Sequence, residues 1–191
     1  MANNNVVTLE EAKEKLSRAI DLTKLFPGFR MPDWVRVGVN EAVEAIRLGQ
    51  DTWAATVLLK TERGVHNVLA SFFRNSAAKF FPNKIAAMEE DGVHQDIRQR
   101  AQKKVWELQD LARHVENLDL VEAARLYNET LEVFKWAREE HGRRVKNQGQ
   151  KDREEELKQA QAQRALELER REEKAADLKR FAETLLNDGV E

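Results

Sequence analysis

The stretch Val35-Arg36-Val37-Gly38-Val39-Asn40 decides the fold class, because it is the one place where apolar and polar residues alternate with period two. Such alternation marks a half-buried strand. No second alternating stretch exists to pair with it, however. Read onward, the helical spacing runs through Ala42, Val43 and Ile46 to a stop at Gly49. The segment is therefore a helix opened by Pro32-Asp33, with Trp34, Val35, Val39, Ala42, Val43 and Ile46 on one side. The chain is expected to be all-α.

The flanking sequence agrees. Thr8 and Glu11 have the spacing of a capping box, with Val7 and Ala12 at the staple positions. Leu9, Ala12, Leu16, Ala19, Ile20 and Thr23 then form one apolar stripe at three- and four-residue steps, ended by Leu25-Phe26-Pro27-Gly28. Asp51 is expected to cap the next helix, which carries Trp53, Val57 and Leu58 to about Glu62. Gly64 is expected to kink or break it, since glycine costs up to ~1 kcal/mol relative to alanine in a helix. Beyond it the period resumes through Leu69, Phe72 and Phe73 to Phe80-Phe81, where Pro82 should close the segment.

A short piece around Ile85 and Met88 leads to a turn at Gly92. Ile97, Ala101, Val105, Leu108, Leu111 and Val115 then mark a long helix. Asn117 or Asp119 starts another, carrying Ala123, Ala124, Tyr127, Leu131, Phe134 and Ala137 and expected to stop at Gly142. Over residues 119–133, the placing of Ala123, Tyr127 and Thr130 resembles the second helix of a tetratricopeptide-type hairpin. The closing proline is missing, and nothing recurs at the family's period of about 34 residues. The resemblance implies a helical hairpin and not membership of that family.

The expected architecture is thus a multi-helix bundle or stack of helical hairpins, followed by a long polar C-terminal helix. Residues 1–7 form a flexible N-terminus, 8–142 the helical body, 143–150 a linker or joint, and 151–191 a charged helix with coiled-coil character. Trp53, Leu69, Phe72, Leu108, Leu111, Tyr127, Leu131 and Phe134 should be buried, Trp106 is also assigned to the core, and Trp34 fits either core or a surface groove.

Composition narrows function. The chain has 32 Lys and Arg against 34 Asp and Glu, and no cysteine. That excludes thiol nucleophiles, disulfides and zinc–thiolate sites. Charged residues reach 35%, against about 25% in an ordinary domain. No apolar run approaches the ~20 residues of a membrane span. The N-terminus lacks the basic and apolar regions of a secretory signal, so a cytoplasmic location and no membrane partner are expected.

Phosphate-loop, dinucleotide-binding and nucleophile-elbow motifs are missing from the sequence. His66 follows Glu62, and His94 follows Glu90, by four residues, each pair interrupted by a glycine and lacking further ligands. No metal, no cofactor and no enzymatic activity are expected. The expected function is a helical adaptor or structural subunit that uses its C-terminal helix as an arm, with Leu168, Leu178, Phe181 and Leu185 contacting a protein partner or, weakly, a second copy. The alternative is an RNA- or DNA-binding accessory subunit using Arg98, Arg100, Lys103, Lys104, Arg143, Arg144 and Lys146, with Phe72-Phe73-Arg74 and Lys79-Phe80-Phe81 as stacking platforms.

Overall fold

The computed structural model describes residues 7–114 and 118–187, with side chains as far as Arg180. The expected flexible N-terminus, Val115 and Asn117 lie largely or wholly outside that range. The described chain is helical throughout, with no strand: α1 (Leu9–Lys24), α2 (Asp33–Arg47), α3 (Asp51–Asn75), a π-helical turn (Ser76–Phe80), α4 (Phe81–Glu90), α5 (Gln95–Ala112) and α6 (Leu120–Asn187). By its internal contacts the chain divides into two units, Met1–His141 and Gly142–Glu191.

Start and stop signals act as their chemistry requires. The Thr8 hydroxyl accepts from the Glu11 amide at 3.2 Å, and the Glu11 carboxylate accepts from the Thr8 amide at 3.0 Å. Gly49 ends α2 in the left-handed region at φ 70°. Its amide donates to the Ile46 carbonyl, and the Gln50 amide reaches back to Ala45. This pair of hydrogen bonds is the Schellman termination, open to glycine because it has no Cβ. Gly92 ends α4 in the same way, its following Val93 donating to the Met88 carbonyl. Asp119 is the N-cap of α6, its carboxylate accepting from Val121 and Glu122 at 2.9 and 3.2 Å.

Three expectations about helix ends need correction. Asp51 is the first residue of α3 rather than its cap; Gln50 holds the cap position without a side-chain bond. Gly64 neither kinks nor breaks α3, which is continuous for 25 residues. Nor does α6 stop at Gly142: it runs 68 residues, through Gly142 and the expected linker. Glycine lowers helix stability by only ~1 kcal/mol, and the Glu, Lys, Arg, Gln and Ala around it are strong helix formers. One glycine without a left-handed turn does not end such a helix.

Pro82 also fails to close its segment. Proline lacks an N–H and clashes with the carbonyl four residues back. Here the π turn precedes it, with the Phe81 amide donating five residues back to Ser76. In that register the next acceptor is the Ala77 carbonyl, which Pro82 cannot serve. The Gln109 side-chain amide of α5 donates to it instead, at 3.1 Å. The turn relieves the clash, a distant glutamine supplies the missing donor, and α4 begins at once.

α1 and α2 both pack on α3 around a core rich in small residues: Ala12, Leu16, Ala19, Val35, Ala42, Ala45, Ala54, Ala55, Leu58 and Val65. At Gly38 a Cβ would collide with Thr61 Oγ1. The C-terminal half of α3 enters a second, aromatic core with Phe26, Phe73, Phe81, Leu108 and Tyr127. A smaller cluster joins Val93, Ile97 and Ala137.

Leu69, Leu108 and Tyr127 are buried as expected, while Phe72, Leu111, Leu131 and Phe134 are half-buried around them. Trp53 and Trp106 are not core: they are 53% and 62% exposed. Within α5 the buried set is Ile97, Ala101, Val105 and Leu108, and Trp106 is one position off that stripe. Val43 and Ile46 likewise sit at the exposed margin of α2, whose buried set is Val35, Ala42 and Ala45.

Candidate functional site

The C-terminal unit presents the first candidate surface. From Val145 to Arg180 every residue of α6 is exposed. Leu157, Leu166, Leu168 and Leu178 are between 51% and 68% exposed. With about 100° per residue, Leu157, Leu168 and Ala175 fall within about 20° of one another and Leu178 about 60° away, while Leu166 lies opposite. Leu168 and Leu178 were expected contact residues; Leu157 extends their face, and its signal was the eleven-residue step to Leu168, about three full turns. The side chains of Phe181, Ala182 and Leu185 lie outside the described residues.

Among the described residues, Glu154 and Lys158, and Glu167 and Arg171, stand four residues apart on the helix but do not close into ion pairs. Arg180 and Asp177 approach to 3.7 Å, and Gln148 donates to Asp152 at 2.8 Å. The helix is held by backbone hydrogen bonds and propensity rather than by packed side chains.

The basic residues form no single patch. Arg98 pairs with Glu89 at 2.7 Å. The Arg100 guanidinium stacks over Trp136, 4.2 Å from the ring centroid. Lys104 is clamped by Glu107 at 2.6 Å and Glu129 at 3.1 Å. The hydrogen bonds it donates to Glu107 and then to Glu129 hold its pKa above the ordinary value. Glu129 also meets Arg125, which is paired to Glu122. The hydrogen bond from Lys104 lowers the Glu129 pKa, and that from Arg125 lowers the Glu122 pKa. Arg143 and Arg144 each have an interaction partner. Lys103 and Lys146 are exposed.

The aromatic platforms divide. Phe73 and Phe81 are fully buried, while Phe72 is half-buried and Phe80 is 45% exposed. Phe72, Phe80 and Tyr127 line a cavity of about 430 Å³ with Pro27, Gly28, Asn75, Ser76, Lys79 and Asn83. The Tyr127 hydroxyl donates to the Pro27 carbonyl at 3.0 Å, and Asn128 donates to Leu25 at 2.7 Å. These bonds tie α6 to the carbonyls left open where α1 ends. Burial raises the Tyr127 pKa, against a smaller opposing effect of the Ser76 hydroxyl.

A second cavity, of about 510 Å³, lies between α4 with the turn that follows it and α6, with Lys84, Asp91, Phe134, Arg138, Glu139 and His141 on its walls. The His94 and His141 rings stand 6.4 Å apart, and Nδ1 of His141 is buried without a hydrogen bond. His66 lies 3.4 Å from Glu62. No group of three or more metal-ligating side chains occurs among the described residues. No helix there is long and apolar enough to cross a membrane. In comparisons with known proteins, the chain matches no family model, no curated protein and no solved structure.

Proposed function

We propose that the protein is a non-enzymatic helical adaptor or structural subunit, and that residues 151–191 are the arm by which it engages a protein partner. The carrying observation is the run of exposed residues from 145 to 180 in unbroken helix. From Leu157 to Leu178 that helix rises about 30 Å, a length with no catalytic use. Leu157, Leu168 and Leu178 offer a thin apolar face of the kind that docks into a partner's groove.

The face supports a different partner better than a second copy. A two-stranded coiled coil needs apolar residues at both seam positions over several heptads. Between Leu157 and Leu168 the corresponding places hold glutamine, arginine and alanine. A homodimer would be weak, whereas a partner with a continuous groove supplies the missing apolar area itself.

The RNA- or DNA-binding alternative has less support, because Arg98, Lys104, Arg143 and Arg144 are already engaged within the chain. Capture of partners by the full chain and by a chain ending at residue 150 tests the reading. The arm predicts loss of the captured protein on truncation. Equal capture by both forms contradicts it. Retention on a polyanion column that falls steeply with salt would favour nucleic acid instead.

A further inference from the structure

We propose that the cavity over the π turn is a binding site for an adenine nucleotide of the size of a nucleoside monophosphate. This assignment is independent of the adaptor reading, since all the cavity residues lie in the N-terminal unit.

The geometry begins with the π turn. Along a regular α-helix, residues four apart drift by about 40° per step. Bonds that span five residues wind the chain less tightly, so the π turn over Ser76–Phe80 opposes that drift. Two neighbouring columns, Phe72-Ser76-Phe80 and Asn75-Lys79-Asn83, consequently face the same cavity. Turns of this kind occur often at functional sites. This one is fixed from below by Gln109 on the Ala77 carbonyl.

The walls supply what a nucleotide requires. Phe80 is exposed enough to stack on a planar base, and Phe72 and Tyr127 complete an aromatic pocket. The Tyr127 hydroxyl is committed to Pro27 and the Ser76 hydroxyl donates to Phe72 at 2.9 Å. Those two residues are therefore preformed wall. Asn75 and Asn83, by contrast, make no side-chain hydrogen bond among the described residues. A carboxamide pairs bidentately with the N6 and N7 edge of adenine. Lys79 is the cation of the cavity, and no carboxylate lines it. An ammonium in that setting suits a phosphate as a point charge. The volume of about 430 Å³ falls within the roughly 300–1,000 Å³ of small-molecule sites. The larger cavity beside His141 holds Asp91 and Glu139 among its cations, and so lacks this selectivity for an anion.

The test is titration of the full chain with AMP, followed by NMR of the Asn75 and Asn83 side-chain amides. The proposal predicts a saturable shift of both, weaker for UMP and for ribose 5-phosphate. Phe80→Ala should weaken AMP binding about ten- to hundredfold, as loss of one stacked base does. Lys79→Met should weaken AMP but not adenosine. Both substituted side chains, at 79 and 80, are exposed, so the variants should melt with the parent. A 5′-phosphorylated oligoadenylate distinguishes the source: tighter binding than AMP assigns the end of a strand, and equal or weaker binding a free nucleotide. Absence of a saturable shift at about 1 mM AMP, a weak limit of specific affinity, overturns the proposal. So does parental affinity in both Phe80→Ala and Lys79→Met.

Discussion

The Trp34 indole lies directly against the backbone of α3 at Gly64, where a Cβ would stand 2.6 Å from the far end of the ring. Gly64 is thus the seat of a tryptophan from α2, not a weak point of α3. Gly64→Ala should force the 40%-exposed ring outward, shifting its fluorescence to the red. In a Trp34→Ala background the same change should stabilise by up to ~1 kcal/mol, the helix propensity difference. A double-mutant cycle by denaturant melts measures the sign reversal.

Gly38 behaves differently because Thr61, its neighbour, is buried and bonded to the Val57 carbonyl at 2.9 Å. Gly38→Ala should cost about 1–3 kcal/mol, as overpacking does. Thr61→Ala should recover much of that loss. Equal stabilities of Gly38→Ala and the parent would show that α2 and α3 stand further apart.

Helix identity and most of the core were legible because propensity and period three to four agree in α1, α5 and the first part of α6, with side-chain caps at Thr8 and Asp119. What was not legible depended on partners remote in sequence. Gly64 reads as a break until Trp34 is seen upon it. Pro82 reads as a stop until Gln109 is found serving Ala77 from 32 residues away. Trp106 and Trp53 read as core from size alone, but period places them beside the buried stripe. At the candidate surfaces, the exposed Leu168 and Leu178 followed from sparse apolar spacing. The cavity beneath Phe80 did not, because it needs the register change of a π turn and Tyr127 of a later helix.

Gln109→Leu should leave the buried Ala77 carbonyl without a donor, at a cost of about 1–3 kcal/mol. Pro82→Ala restores an N–H in the register that can serve that carbonyl. The Gln109→Leu penalty should therefore shrink in the Pro82→Ala background. Additive effects of the two changes would place the missing donor elsewhere.

Leu108 and Trp106 give a paired test of the core. Leu108→Ala should cost about 2–5 kcal/mol, since the residue is 0% exposed. Trp106→Ala, on the outward side of the same helix, should change stability by no more than about 0.5 kcal/mol. Chemical melts of both variants check the contrast.

The chain of charges through Lys104, Glu129, Arg125 and Glu122 makes stability depend on pH. Glu129 and Glu122 have lowered pKa values. Their contribution is complete above the ordinary glutamate range and disappears as pH falls through the lowered values. Lys104 is raised, so its contribution holds through neutral pH and disappears as pH rises through its raised value. Lys104→Met should move the Glu129 pKa upward in a carboxylate NMR titration. An unchanged Glu129 would remove Lys104 as the main cause.

In the arm reading proposed above, the exposed Leu157, Leu168 and Leu178 are contacts reserved for a partner. Amide hydrogen exchange on the full chain, alone and with its captured partner, tests it most directly. Alone, residues 151–180 should exchange faster than residues 97–108 of the core, because no side-chain packing protects them. In the complex, exchange around Leu157, Leu168 and Leu178 should slow by about tenfold or more, the equivalent of ~1.4 kcal/mol of added local stability. Core-like protection of residues 151–180 in the free chain, or unchanged exchange there in the complex, would contradict the account.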